Sequence, residues 1–290
     1  MSQTKIFANL KPGSNLQNDD VFPQTSVKSM AQLTGYQPRK GLENAIISNG
    51  KIVNVVSNAY GHLPNEKFFL NIEEKLIQAD VNYMTRSINR NDRSFVVDYI
   101  LNDEKYHIEI KNGLDKIRPM LRFTNSYDGS NKTSGHFGFF REVCANGLHV
   151  AHTDIGFAVK HKGDICEVIL PEINTIIGRF MDNEYYTLKK KFEVLAERPI
   201  KDIQQYVRIT CEELKLFMYQ ASEKNTDPSL NARMVIDIIN KESRILGIEP
   251  NLWIGYNAFN DVIHTKLKKT FEAQKTADAR LFEYAMTQAS

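Results

Sequence analysis

The sequence has little of what identifies several common protein classes. Its three cysteines, Cys144, Cys166 and Cys211, are widely spaced and form no Cys-x-x-Cys pair, which argues against a disulfide framework and a cysteine-rich zinc site. No apolar run approaches the ~20 residues of a membrane span. The N-terminus also lacks the apolar core of a secretory signal. We therefore expect a cytoplasmic protein without a membrane partner.

An excess of one charge is also missing. The formal net charge is +2, and residues 84–145 hold ten Lys and Arg against eight Asp and Glu. A domain dedicated to duplex DNA usually carries a clear basic excess. Any nucleic-acid surface in this chain must therefore come from cations that the fold sorts onto one face.

Motifs for nucleotide binding and catalysis are absent as well. No GxxxxGK[ST], GxGxxG, HExxH or GxSxG occurs, so we predict no nucleotide cofactor and no kinase, dehydrogenase or hydrolase site. Cys144 with His149, His152 and Asp154 could supply metal ligands or a nucleophile and its base. However, residues three apart in an extended segment point to opposite faces. A Cys/His-dependent enzyme stays an alternative, and we assign no catalytic or metal-binding residue.

The residue pattern changes twice along the chain. Residues 1–43 are polar and predict an N-terminal arm that is partly disordered. Residues 44–168 carry short β-like runs joined by turn signals such as Asn49-Gly50, with one early helix capped by Asn65. Residues 169–290 have apolar side chains at helical spacing. This order predicts an α+β fold, with an antiparallel β-sheet core followed by a C-terminal helical lobe.

Three local signals add predictions within this scheme. Asn146-Gly147 predicts another turn, because both residues tolerate a positive φ. Asp227 before Pro228 and Asn251 before Leu252 predict the N-caps of two helices.

The most distinctive stretch is residues 125–147, where two strand-like runs flank a polar, glycine-rich loop. Cations and aromatic residues recur in and around it. Proteins that follow a single-stranded backbone combine such cations with aromatic rings, and each stacked base contributes ~1–3 kcal/mol. Phe137 and Phe139 fit the inward face of a strand better than a stacking surface. The predicted nucleic-acid-binding residues are Arg86, Arg90, Arg93, Arg118, Arg122, Lys132 and Arg141 for phosphates, and Tyr127 for stacking.

Two motifs in this stretch resemble the signature of a known family. An Asn-Ser-x-Asp-Gly-Ser loop begins at Asn125, and an Arg-x-Val-Cys-x-Asn-Gly strand end begins at Arg141. Residues 60–66 (YGHLPNE) and 253–261 (WIGYNAFND) are similar to further motifs of that family. On these residues the chain resembles the phage/plasmid-like protein family, the domain-of-unknown-function family 932. Its order of elements is also similar in outline to the Rad-fifty-two-like single-strand annealing proteins, an analogy of fold alone.

The resemblance implies a mobile-element setting and a bacterial host cytoplasm, but it brings no established activity. With the cations, it leads us to expect binding of single-stranded nucleic acid in phage or plasmid DNA metabolism, with annealing or recombination as the associated process. We expect a homo-oligomer. The alternatives are a protein-interaction module, such as a host-defence antagonist that contacts a host or phage protein, and the Cys/His-dependent enzyme.

Overall fold

The computed structural model describes residues 22–90, 92–111, 113, 115–141, 146–148, 156–182, 187–222, 225–267 and 271–290. The strands are β1 (Thr25–Ser29), β2 (Asn44–Ser48), β3 (Lys51–Val56), β4 (Tyr83–Arg90), β5 (Ser94–Leu101), β6 (Ile108–Ile110), β7 (Asp115–Ser126), β8 (Thr133–Arg141), β9 (Asn146–Leu148), β10 (Gly156–Val159), β11 (Gln220–Ser222) and β12 (Asn225–Pro228). The helices are α1 (Met30–Thr34), α2 (Asn65–Gln78), α3 (Ile165–Met181), α4 (Thr187–Glu197), α5 (Ile203–Leu214), α6 (Leu230–Leu246), α7 (Leu252–Thr265) and α8 (Phe271–Ala289).

The described strands pair in antiparallel fashion throughout. One sheet has the order β1-β2-β3, and a seven-stranded sheet follows the path β10-β8-β7-β5-β4, with β6 on β7 and β9 on β8. The strands β11 and β12 pair with each other. Together with the helical C-terminal region, this confirms the predicted α+β fold.

The turn of the β2–β3 hairpin has the backbone conformation that its sequence predicts. Asn49 has φ 48° and Gly50 has φ 76°, and Ser48 pairs with Lys51 across them. Only residues that tolerate the left-handed region suit both positions. The same reasoning is wrong at Asn146-Gly147, because these residues lie in β9, where Gly147 pairs with Phe140.

Part of the predicted N-terminal arm is ordered secondary structure. Residues 22–43 include β1 and α1, and Val27 of β1 pairs with Ile46 of β2. Pairing with β2 satisfies the backbone groups of β1, a strand with little hydrophobic alternation, so this part of the arm forms regular structure. Residues 1–21 lie outside the described residues.

The chain divides into two compact units that interleave in sequence. The first comprises Met1–Tyr106, Met120–Phe137 and Ile155–Asn183, and the second comprises His107–Pro119, Gly138–Asp154 and Glu184–Ser290. These boundaries differ from those expected at residues 43 and 168. The difference arises because β7 and β8 each contribute residues to both units, and because α3 packs with α2 and β10 in the first unit.

In the first unit, α2 packs on one face of the sheet. Phe69 lies 5.2 Å from Phe95 between ring centroids, and Phe68 lies 6.0 Å from Phe123. All four rings are buried. This aromatic contact places the start of α2 against the end of β7.

In the second unit, aromatic side chains join α4, α7 and α8. Phe192 lies 4.7 Å from Trp253 and 6.0 Å from Phe282 between ring centroids. Asn251 caps α7 as predicted, since its side chain accepts from the Ile254 N–H at 3.0 Å. The predicted cap at Asp227 is wrong: β12 runs through Pro228, and Ser229 caps α6 instead.

Among the helices in the described part of the chain, none has a stretch that is both long and apolar enough to cross a bilayer.

Candidate nucleic-acid interface

Arg122 lies on β7 in the first unit, and its guanidinium is buried. Its Nε and Nη2 donate to the two carboxylate oxygens of Asp98 at 2.6 and 2.9 Å, and the two side chains are 8% and 0% exposed. The β5–β7 register places these residues directly opposite each other. A two-pronged contact of this kind is the strong form of an arginine–carboxylate pair. The predicted phosphate contact of Arg122 is therefore corrected to a structural ion pair.

Arg141 is also buried, in the second unit, among residues distant in sequence. Its Nε donates to Asp115 Oδ2 at 2.6 Å, and its Nη1 donates to Glu242 Oε2. The indole N–H of Trp253 donates to the same Asp115 oxygen at 2.7 Å. The arginine side chain is 0% exposed, so its predicted phosphate contact is corrected as well. We call Arg141, Asp115, Glu242 and Trp253 the arginine cluster.

Tyr127 serves as a helix cap rather than as a stacking surface. Its side chain is fully buried, and its hydroxyl accepts the Asn65 N–H at 2.7 Å. The first N–H groups of a helix have no partner within the helix, so Tyr127 satisfies one for α2. The predicted N-cap role of Asn65 is accordingly wrong, because Asn65 is the first residue of α2 and follows Pro64. Burial raises the pKa of the Tyr127 hydroxyl to about 12.

The other predicted cations do not all share one unit. Arg86 and Arg90 lie on β4, and their side chains are outside what the structure describes. Arg118 is half-buried in the second unit. Arg93 and Lys132 both belong to the first unit, where they border the loop between β7 and β8.

The β7–β8 loop brings these two cations to one end of the sheet. The carbonyl of Arg93 accepts the Tyr127 N–H at 2.6 Å, next to the pair of Ser94 and Ser126 that ends the β5–β7 ladder. Arg93 is exposed, and so is Lys132 at the other end of the loop.

Two more lysines reach the same end of the sheet from β10. Val159 pairs with Thr133, so Lys160 follows in register beside Lys132, and Lys162 lies two residues further on. Both lysines are exposed. We call the resulting group the loop-end cations: Arg93, Lys132, Lys160 and Lys162.

The nearby carboxylates of the first unit are held in local interactions. Asp92 pairs with Lys51 at 3.7 Å, and Asp128 accepts the Ser130 N–H at 2.9 Å. Asp164 caps α3. Their charges offset part of the field of the loop-end cations.

An aromatic pair adjoins the lysines. The rings of Tyr60 and His161 stack with 5.1 Å between centroids and 4° between planes, and both side chains are half-buried. The segments that carry these two rings come close at Gly61 and Gly163. A Cβ on Gly61 would overlap the carbonyl oxygen of Gly163, so residue 61 must be glycine for this contact.

Beneath this pair lies a chain of hydrogen bonds between neutral side chains. His161 Nδ1 is 3.2 Å from the Gly61 carbonyl oxygen, and its Nε2 is 3.2 Å from Thr133 Oγ1. Thr133 donates to Asn125 Oδ1 at 2.9 Å, and the Asn125 amide donates to Asn65 Oδ1 at 2.8 Å. Burial lowers the pKa of the His161 imidazole. We call Asn65, Asn125, Tyr127, Thr133 and His161 the amide network.

Sequence reasoning missed the amide network as a unit. Its members were single polar residues in three segments, and no local pattern indicates that they meet. The available signal was the pair of motifs at residues 60–66 and 125–130, which the structure brings together.

The described residues give no support to a second, catalytic site. Cys144, His149, His152 and Asp154 lie outside them, and within the described ranges no group of three His, Cys, Asp or Glu side chains is arranged to hold a metal. Burial raises the pKa of the Cys211 thiol to about 12, which leaves it unreactive at neutral pH.

The second unit also contains a cleft of about 660 Å³ along α6 and the segment that follows it. Its lining mixes acidic, basic, polar and apolar side chains, and this mixture favours no single class of ligand. The lining residues are Asp237, Asn240, Lys241, Ser243, Arg244, Ile248 and Pro250.

A family model described as Domain of unknown function (DUF932) matches residues 52–281 of this chain. The match includes the loop-end cations, the amide network and the arginine cluster. Neither the curated proteins nor the solved structures contain a match.

Proposed function

This chain belongs to the DUF932 family, and we propose that it binds single-stranded nucleic acid in the DNA metabolism of a phage or plasmid, as a homo-oligomer. The observation that carries the proposal is the group of loop-end cations in the first unit beside the half-buried Tyr60–His161 pair. Contacts of this kind read the backbone and not the base sequence.

The composition of the loop end favours a single strand over a duplex. A duplex presents one charge per ~1.7 Å of axis and is matched by a broad basic surface. The loop end offers four cations with three carboxylates nearby, on a chain whose net charge is +2. A flexible strand can follow such a small patch, and its bases can stack on an adjacent aromatic ring.

The proposal predicts a moderate dependence of affinity on salt. If the four loop-end cations each neutralise one phosphate, the plot of log affinity against log salt has a slope of about −3, from about −0.7 per phosphate for single strands. Fluorescence anisotropy of the full chain with a labelled oligo-dT of about 20 nucleotides, across a salt series, measures this slope. A matched duplex of the same length gives the comparison.

Two triple variants with the same change in charge test the location. We expect Lys132→Gln/Lys160→Gln/Lys162→Gln to weaken oligo-dT binding at least about tenfold at low salt and to reduce the slope by about 2. The control removes three exposed lysines of the second unit, Lys190→Gln/Lys201→Gln/Lys266→Gln. Absence of binding at low salt, or equal weakening by both triples, would refute the proposed interface.

A further inference from the structure

His161 faces two groups that both need a hydrogen-bond donor. Its Nδ1 is 3.2 Å from the carbonyl oxygen of Gly61, which only accepts. Its Nε2 is 3.2 Å from Thr133 Oγ1, and that hydroxyl directs its one hydrogen to Asn125 Oδ1 at 2.9 Å. The orientation of the Asn125 amide is set by its NH₂, which donates to the carbonyl oxygen of Leu63 at 2.9 Å.

A neutral imidazole cannot satisfy this arrangement. It carries one N–H, so either Nδ1 and the Gly61 oxygen, or Nε2 and the Thr133 oxygen, meet as two acceptors. The imidazolium donates from both nitrogens and satisfies both contacts. The face of Tyr60, stacked on His161 at 5.1 Å, also favours a cation over a neutral ring.

The surroundings of His161 oppose that charge as long as no anion is bound. Burial lowers the pKa of His161, and burial keeps Tyr60 uncharged by raising the pKa of its hydroxyl. The nearby chain carries Lys132 beside Thr133, and Lys160 and Lys162 on either side of His161. Three further titratable groups adjoin these segments: Asp128 in the β7–β8 loop, Asp164 at the start of α3 and His62 on the segment before α2.

We propose that the loop end binds a backbone phosphate together with one proton, which His161 holds between Gly61 and Thr133. This inference rests on the proposed function and adds a pH-dependent element to the same site. A phosphate bound near Lys160 and Lys162 brings a negative charge to the site. This charge offsets the burial and the lysine charges that disfavour the imidazolium. The proton then completes both hydrogen bonds of the imidazolium.

His62 provides a matched control in the same unit. It is half-buried, and burial, followed by the nearby charge of His161, lowers its pKa as well. Its Nε2 lies 3.1 Å from Thr25 Oγ1, and its buried Nδ1 has no hydrogen-bond partner in the described part of the chain. One N–H is enough for this environment, so His62 has no need of a second proton.

The test counts protons during binding. Full-length protein is titrated with oligo-dT at neutral pH by calorimetry in two buffers that differ in ionisation enthalpy, which gives the number of protons taken up. We expect the unaltered chain and His62→Gln to take up a measurable fraction of one proton, and His161→Gln to take up none. In anisotropy measurements, affinity should rise as pH falls from 8 toward 6, by at most about tenfold per pH unit for one linked proton.

A second variant keeps His161 but removes one of the two acceptors that its imidazole faces. Thr133→Val preserves the shape of the buried side chain but deletes the hydroxyl that Nε2 faces, so a neutral imidazole satisfies Gly61 alone. Proton uptake should therefore fall in Thr133→Val as well. Circular dichroism of each variant identifies any that fails to fold, and the measurement on the unaltered chain needs no variant.

The outcomes separate this inference from the proposed function. Salt-sensitive binding without proton uptake, or uptake that His161→Gln retains, overturns the proton-coupled site and leaves single-strand binding in place. Absence of binding at low salt overturns both.

Discussion

The amide network of the first unit and the arginine cluster of the second bury polar residues in different ways. The first unit contains the amide network, whose buried groups are mainly neutral amides and hydroxyls. The second contains the arginine cluster, in which one guanidinium faces two carboxylates. Both contain residues of the motifs that resemble the family signature. Residues of the family motifs therefore stabilise the fold in both clusters.

The difference has an energetic consequence. A neutral hydrogen bond lost from a buried site costs about 1–3 kcal/mol when it leaves one partner unsatisfied. Removal of one member of a buried ion pair costs about 3–5 kcal/mol, because an uncompensated charge remains. The arginine cluster should therefore be more sensitive to single substitutions than the amide network.

The largest expected effect is that of Arg141→Met. It leaves Asp115 and Glu242 buried without their cation, and we expect a loss of about 3–5 kcal/mol in the free energy of unfolding. Trp253 is the single tryptophan of the chain and belongs to the cluster, so its fluorescence during denaturant unfolding reports this unit directly. Arg208→Met, at an exposed position of α5, is the control. Equal stability of the two variants would contradict the assigned role of the cluster.

Tyr127→Phe should have an intermediate effect in the first unit. The change removes only the hydroxyl that accepts the Asn65 N–H, and we expect a loss of about 1–3 kcal/mol. Hydrogen exchange at the first turn of α2 should accelerate more than exchange elsewhere in that unit. Tyr36→Phe, at a residue that is 81% exposed, should leave exchange unchanged. Unaltered protection of α2 in Tyr127→Phe would show that the hydroxyl is not a cap.

The smallest expected effect is a loss of stability in acid, confined to the first unit. Burial lowers the pKa of His62 and His161 below the value of the unfolded chain. The unfolded chain therefore binds more protons, so the free energy of unfolding falls as pH decreases from about 6.5. Each histidine contributes at most about 1.4 kcal/mol per pH unit.

This prediction is checked by hydrogen exchange of the ligand-free protein between neutral and mildly acidic pH. His62→Gln/His161→Gln should flatten the pH dependence of the slowest exchanging amides in the first unit. An equally steep dependence in the double variant would assign the effect to other groups of that unit.

Several features could be predicted from sequence because they depend on neighbouring residues. The Asn49-Gly50 turn follows from the backbone freedom of two residues, and the Asn251 cap follows from one side chain and an N–H three residues on. The turn predicted at Asn146-Gly147 does not form, because these residues pair with β8. Pairing with a partner strand overrides their local turn preference.

The candidate site was less predictable because burial of a charge depends on distant partners. Arg122 meets a carboxylate 24 residues away, and Arg141 meets carboxylates 26 and 101 residues away. Sequence identifies each as a cation suited to phosphate, but it does not show whether a carboxylate lies opposite. The two predicted cations that remain at the loop end, Arg93 and Lys132, border a loop.

The α+β order, the early helix, the β2–β3 turn and the family follow from the sequence, since periodicity, turn residues and motifs are local properties. Which cations are exposed and which are paired depends on the tertiary structure. It also placed Tyr127 at the start of α2 and His161 between two acceptors. These roles depend on contacts between residues far apart in the chain, which form when strands pair in register and helices pack on them.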